Sequence, residues 1–309
     1  MPPAIVAGSA HLALAERVGA VLGVAPCGRT LERFADGELH VDITDSLRGR
    51  DVYIVQPTSP PVDQHLVELL FLADACVRAG AARITAVMPY LGYARQDRRA
   101  EGREAVGAAA VARMIEACGV ARVVAVDVHT PALEGFFRIP FEHLGATRLL
   151  AASLRTPANP VIVAPDLGAA KLAERVQRYL QAPVAVIHKT RRSGSTVAVR
   201  TIIGDVRGRT PVIVDDMITT GGTMEAAVRE LLAAGCTPPA AVLATHGLFV
   251  GPAVARLDAL PVEPLIATDT VVAAARPAHL QVVSVAPLLA DAIGRLHRGE
   301  SLTPILARA

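Results

Sequence analysis

The residues best placed to do chemistry lie in VIVDDMITTGGTMEAA, from Val212 to Ala227. An apolar run, Pro211 to Val214, ends in two adjacent carboxylates, Asp215 and Asp216. Thr219-Thr220-Gly221-Gly222-Thr223 and a helix-like run, Met224 to Ala234, follow. The predicted order is strand, acidic turn, Gly/Thr loop, helix. A glycine pair lets the backbone approach a ligand closely, and the first turn of the next helix offers N–H groups without intrahelical partners. With the threonine hydroxyls, these groups suit a phosphate monoester. The two carboxylates would repel that anion, so their use is to grip sugar hydroxyls or a cation. The stretch therefore reads as a site for a phosphorylated sugar. No Lys follows the glycines, so it is not a Walker A loop, and it is not a GxGxxG dinucleotide fingerprint.

Further charged groups collect past the ends of other apolar runs. PYLGYARQDRRAEGRE, Pro89 to Glu104, follows Arg83–Met88. Arg95, Arg98, Arg99 and Arg103 could clamp a polyphosphate there, although an arbitrary Arg-rich loop is more often a solvated face. Asp127-Val128-His129 ends the run Arg122–Val126. That pair suits a divalent cation bound to a nucleotide, although an isolated Asp/His pair is more often structural. Pro165-Asp166-Leu167-Gly168-Ala169 follows Val161–Ala164, and Lys189-Thr190-Arg191-Arg192 follows Pro183–His188.

The elements that must position these groups alternate. Strands are predicted at Ala4–Ala7, Asp51–Gln56, Arg83–Met88 and Arg122–Val126. Helices are predicted at His11–Leu22, Asp63–Ala79 and Ala105–Gly119. Leu31 to Ile43, LERFADGELHVDI, mixes strand-like alternation with a turn at Ala35-Asp36-Gly37. Leu149 to Pro160, with proline and polar residues, is read as the domain boundary. The pattern then restarts, with strands at Val161–Ala164, Pro183–His188, Ala240–Thr245, Pro264–Thr268 and Gln281–Val285, and helices at Lys171–Leu180 and Pro287–Arg298. Alternation of this kind argues for an α/β fold with mainly parallel sheets covered on both faces.

The DDMITTGGT stretch resembles the ribose-phosphate loop of the type I phosphoribosyltransferase fold. FADGE, PYLGYARQDRR, VDVH with GFF and IP, the lysine loop and DDMITTGGT, in this order, resemble the ribose-phosphate diphosphokinases across nearly the whole chain. That resemblance implies two phosphoribosyltransferase-like domains related by pseudo-twofold symmetry. The expected boundaries are 1–148 and 149–309, with the closing helix in the second domain or packing back on the first. It implies transfer of the diphosphoryl group of ATP to the anomeric hydroxyl of ribose 5-phosphate, leaving AMP. Phe34, Asp36, Gly37, Glu38, Arg95, Gln96, Asp97 and Arg98 would bind ATP. Asp215, Asp216, Thr219, Thr220, Gly221, Gly222 and Thr223 would bind ribose 5-phosphate. Lys189 and Arg191 would act in catalysis, and His129, Asp166 and Asp127 would hold Mg2+. A homo-oligomer, dimer or hexamer, is implied too. The chain departs from the family's habit at Thr190, beside the lysine, at Thr219 in the sugar loop, and at Arg138 after GFF. Two other readings share parts of the pattern: a phosphoribosyltransferase that consumes phosphoribosyl diphosphate, and a non-catalytic regulatory homologue.

The whole chain limits the alternatives. Its 309 residues suggest two domains, and 52% hydrophobic against 19% charged residues leaves enough apolar material for a large core. A net charge of +2 is too small to imply nucleic acid. No apolar run reaches membrane-spanning length unbroken. The N-terminal MPPAIVAGSAHLALAERVG has no basic leader, so no signal peptide is expected. Cys27, Cys76, Cys118 and Cys236 lack metal-ligand spacing and read as buried reduced thiols of a cytoplasmic protein.

Overall fold

The computed structural model describes residues 1–191 and 198–307, without the side chains of 189–200. The chain divides into two compact units. The first comprises Met1–Gly145, Thr270–Val272 and Ser284–Ala309; the second comprises Ala146–Asp269 and Ala273–Val283.

In the first unit, β1 (Ala4–Ala7) leads to α1 (Leu12–Leu22), and a hairpin of β2 (Arg29–Arg33) and β3 (Leu39–Ile43) follows. Then come β4 (Asp51–Val55), α2 (Val62–Arg78), β5 (Arg83–Met88), α3 (Gly107–Ala117), β6 (Arg122–Val126) and β7 (Phe141–Leu144). The sheet order is β1-β4-β5-β6-β7, and every pairing is parallel. Registers such as Ile54↔Ala86 and Val87↔Val124 bring the strand ends to one edge. Both faces are covered, which is why the strands read as continuous apolar runs. Val52, Ile54, Ile84, Met88 and Val123 face α2 and α3, in one core with Leu69, Leu72 and Ile115. Each such side chain contributes about 1.5–3 kcal/mol when fully buried.

The second unit carries α4 (Thr147–Ser153), β8 (Pro160–Ala164), α5 (Ala170–Leu180), β9 (Val184–Arg191), β10 (Ala198–Ile203), β11 (Thr210–Ile218) and α6 (Gly222–Ala233). It continues with β12 (Ala240–Gly247), α7 (Ala253–Asp258), β13 (Val262–Thr268) and β14 (Leu280–Val283). Its sheet order is β10-β9-β8-β11-β12-β13-β14. Within this sheet, among the described strands, only the β9–β10 pairing is antiparallel. One face packs Ile213, Val242 and Leu265 with Met224, Val228 and Leu231 of α6; the other packs Val212, Val214 and Leu243 with Leu172 and Val176 of α5. The closing helix α8 (Ala286–Arg298) belongs to the first unit, against α1. There His297 Nδ1 lies 3.1 Å from the Asp51 carboxylate, which also receives Arg83 and the Tyr53 hydroxyl.

Several expectations change here. Leu149–Pro160, read as the domain boundary, begins within α4, a two-turn helix that buries Leu150 and Ala151. β7 and α7 are too short to show a period in the sequence. Asp215 and Asp216 do not form a turn. β11 runs through both, because Met217↔His246 and Ile218↔Gly247 keep the ladder going to the loop. The helix after that loop begins at Gly222, two residues before the expected Met224.

Candidate functional site

In the second unit, β8 and β11 are parallel neighbours, with Val163 beside Ile213, so Asp166 and the pair Asp215-Asp216 come off adjacent strand ends. Asp215 is half-buried, and its Oδ1 accepts the Asp216 N–H at 2.9 Å. Burial first, then the charge and hydrogen bond of Asp216, then the charge of Asp166, push the Asp215 carboxyl up to about 8. Asp166 is exposed, and its Oδ1 accepts the Ala169 N–H at 3.1 Å just ahead of α5. The structure thus crowds three carboxylates whose mutual repulsion a cation or hydroxyl donors would relieve.

The loop beyond them is tied down from outside. The Thr219 carbonyl accepts the Val250 N–H at 2.9 Å, and the Thr220 carbonyl accepts Arg256 Nη1 at 3.0 Å. Arg256 is also paired with Glu225, at 3.3 Å, in the first turn of α6. Gly221 caps that helix at φ 74, a left-handed conformation that favours glycine, and its added Cβ would lie 3.5 Å from Ala253. No side chain caps α6, so its first N–H groups face the loop open to an anion. Thr219 is half-buried, Thr220 and Thr223 are exposed, and Gly222 is half-buried.

In the first unit, the turn between β2 and β3 carries Phe34, Asp36, Gly37 and Glu38, all exposed. The Phe34 N–H donates to the Glu38 carbonyl at 2.9 Å, and the Glu38 N–H donates to Asp36 Oδ1 at 3.1 Å. Phe34, 57% exposed, leans on His40 with ring centroids 5.7 Å apart. Leu31, Val41 and Ile43 anchor the hairpin on the core. The Arg-rich segment leaves β5. Arg95, Arg98 and Arg99 are exposed and enter no ion pair among the described residues; Gln96 is exposed and Asp97 half-buried. The Gln96 N–H donates to the Tyr93 carbonyl at 2.9 Å, and Glu104 accepts the N–H groups of Ala100 and Glu101. No hydrogen bond joins this segment to the 34–38 turn among the described residues.

Asp127 is 3% exposed with φ 36, and its N–H donates to the Leu144 carbonyl at 2.9 Å. His129 is exposed. His143, which the motif reading passed over, accepts the Val128 N–H at Nε2 at 3.1 Å and so steadies the strand end between them. Among the described residues, no group of three His, Cys, Asp or Glu side chains is arranged to hold a metal alone. Lys189 and Arg191 lie in the backbone of β9, and their side chains fall outside the described residues. Thr58, Asp63, Glu225 and Arg256, which hold the two loops, carry no sequence signal. Their loop partners lie far off in the sequence, Gly92, Tyr93 and Thr220 among them, and Glu225 has in addition a helical partner, Arg229.

Comparison with known proteins covers both units. Residues 3–119 match the N-terminal domain of ribose phosphate pyrophosphokinase, residues 137–248 the phosphoribosyl transferase domain, and residues 195–307 the phosphoribosyl synthetase-associated domain. The chain is 42% identical over 301 residues to a ribose-phosphate pyrophosphokinase of Gloeobacter violaceus, covering 96% of this chain and 90% of that one. It is 40% identical over 297 residues to that of Staphylococcus haemolyticus, covering 94% and 91%. Among solved structures, the phosphoribosylpyrophosphate synthetase of Mycobacterium smegmatis aligns with a TM-score of 0.90 at 37% identity, covering 97% of this chain and 100% of that one.

Proposed function

Because the chain belongs to the ribose-phosphate pyrophosphokinase family, we propose that it transfers the diphosphoryl group of ATP to ribose 5-phosphate. The anomeric oxygen bonds to the β-phosphorus, the bond between that phosphorus and the α,β-bridging oxygen breaks, AMP leaves, and the hydroxyl proton is released. The observation that carries the sugar half is the crowding of Asp166, Asp215 and Asp216 beside the uncapped start of α6. Sugar hydroxyls donate to the carboxylates, and the phosphate takes the N–H groups and hydroxyls of Thr219, Thr220, Gly221, Gly222 and Thr223.

The nucleotide half is assigned to Phe34, Asp36, Gly37 and Glu38 for the base and to Arg95, Gln96, Asp97 and Arg98 beyond it, with the arginines taking the phosphates. The absence of ion pairs at Arg95 and Arg98 supports this, since their charge is not spent within the described chain. Lys189 and Arg191 stabilise the charge that moves during transfer. The two compact units serve as the two phosphoribosyltransferase-like domains.

Each unit offers donors that fit a hard divalent cation, which we assign as Mg2+. In the second unit Asp166 offers carboxylate oxygens beside the sugar loop, and in the first His129 offers a ring nitrogen with Asp127 in support; Mg2+ commonly takes one or two protein ligands beside phosphate oxygens and water. Bound there, it would neutralise phosphate charge and orient the transferred group. We also assign a cytoplasmic homo-oligomer, with no nucleic acid or membrane partner. No helix among the described residues is long and apolar enough to cross a membrane. The test is AMP release from ATP, with and without ribose 5-phosphate and with Mg2+ titrated. Release that requires the sugar phosphate and stops in excess chelator is expected. Sugar-independent release would overturn the reaction; full activity in chelator would overturn the metal assignment. Mg2+ curves of His129→Ala and Asp166→Ala should shift to higher concentration.

A further inference from the structure

We propose that Thr58 is a positioning residue for the nucleotide phosphates, acting through the Tyr90–Gln96 segment with help from Asp63 and Tyr93. This rests on the reading of Arg95 and Gln96 as nucleotide-binding. Thr58 lies past the end of β4 and is 1% exposed. It grips the neighbouring segment at two points. Its N–H and its hydroxyl both donate to the Tyr90 carbonyl, at 2.9 and 3.3 Å, and the hydroxyl oxygen accepts the Gly92 N–H at 2.7 Å. The grip is close: a Cβ on Gly92 would lie 2.6 Å from the Thr58 carbonyl oxygen and 2.7 Å from Val62 Cγ1.

The chain then turns sharply. Tyr93 has φ 62, which side-chain-bearing residues seldom adopt. Its phenol donates to the carboxylate of Asp63, in the first turn of α2. The Tyr93 carbonyl accepts the Gln96 N–H, and the Gln96 carbonyl accepts the Ala108 N–H at 3.2 Å, where α3 begins. Arg95 and Gln96 are therefore presented from a turn fixed at both ends, and the buried fixed point is the Thr58 hydroxyl. Fixing the backbone from which Arg95 and Gln96 project before the ligand arrives reduces the ordering that binding must bring about. Thr58 has no role at the substrate itself.

Removing only the hydroxyl tests this. Thr58→Val keeps the shape and leaves the buried Gly92 N–H without its acceptor, whereas Thr58→Ser keeps the bond. In the AMP-release assay, Thr58→Val should raise the KM for ATP about tenfold and leave the KM for ribose 5-phosphate within about twofold. Thr58→Ser should stay within about twofold of the parent on both. Calorimetric titration of Mg–ATP without the sugar phosphate should show the same loss for Thr58→Val. Tyr93→Phe, at a more exposed position, should raise the ATP KM about threefold, and it carries the test if Thr58→Val does not fold. Equal rises in both KM values, or a Thr58→Val enzyme with the parent's ATP KM, would overturn the positioning role while the reaction stands. A parent that releases no AMP would overturn the functional reading and this inference with it.

Discussion

The acidic loop of the second unit and the arginine loop of the first both leave the C-terminal edge of a parallel sheet, yet they are held by opposite means. Around Asp215, regular structure does the holding. β11 runs through both carboxylates, α6 starts at Gly222, and the short stretch between is pinned through its carbonyls. Around Arg95 the backbone is irregular, and side chains hold it: the Thr58 hydroxyl and the Asp63 carboxylate from distant positions, and Glu104 from within the segment. The charges differ as well. The carboxylates sit close enough to raise Asp215, while the arginines stand in solvent without ion-pair partners among the described residues. The strand β11 holds Asp215 and Asp216 side by side against their repulsion. Exposed guanidinium groups are well solvated, so a loop suffices if its root is fixed.

The largest effect expected lies between the two loops in sequence. Lys189→Ala should lower turnover about 100- to 1,000-fold while the affinity for ribose 5-phosphate stays near the parent's, because charge stabilisers act on the transition state. Steady-state kinetics with a separate binding measurement checks this. Turnover within about threefold of the parent would remove Lys189 from the chemistry.

The assignment of acid to sugar and cation to nucleotide can be broken with Asp216→Asn. It should raise the KM for ribose 5-phosphate about tenfold or more and that for ATP by less than about threefold, since an amide accepts fewer hydroxyl protons than a carboxylate. A rise confined to ATP would mean that the two loops have been given each other's substrates.

A smaller shift should come from Arg256→Ala, which loosens the Thr220 carbonyl and the Glu225 pair without touching the acids. A rise of about three- to fivefold in the ribose 5-phosphate KM, with no change for ATP, would mirror the selectivity expected of Thr58 and sharpen the contrast. Equal changes for both substrates would show instead that Arg256 serves general stability.

A further effect, on no kinetic constant, is on pH-dependent stability. The Asp215 carboxyl is raised in the folded chain, so the fold favours its protonated form. The resulting stability is complete below the unfolded carboxyl's range near 4 and is lost as pH rises through about 8. The melting temperature of the metal-free protein should therefore fall between about pH 5 and 8.5, and Asp215→Asn should flatten that fall. Identical pH profiles for the two proteins would place Asp215 in a well-solvated setting.

The sequence by itself determined the alternation of elements, because apolar runs and amphipathic spacing are local. It also determined which residues carry charge past strand ends, because DDMITTGGT and PYLGYARQDRR are contiguous. It did not show that β11 continues through Asp215 and Asp216, since two aspartates argue against a strand until a neighbour such as β12 supplies the ladder. Nor did it show α4, β7 or α7, whose four to seven residues carry less than a full pattern. The Thr58–Gly92 and Arg256–Thr220 contacts, 34 and 36 positions apart, have no sequence mark at all. The tertiary structure alone decided those, and with them the raised Asp215 carboxyl. Burial and the distance between charges are properties of packed strands, and neither exists until the sheet has brought them together.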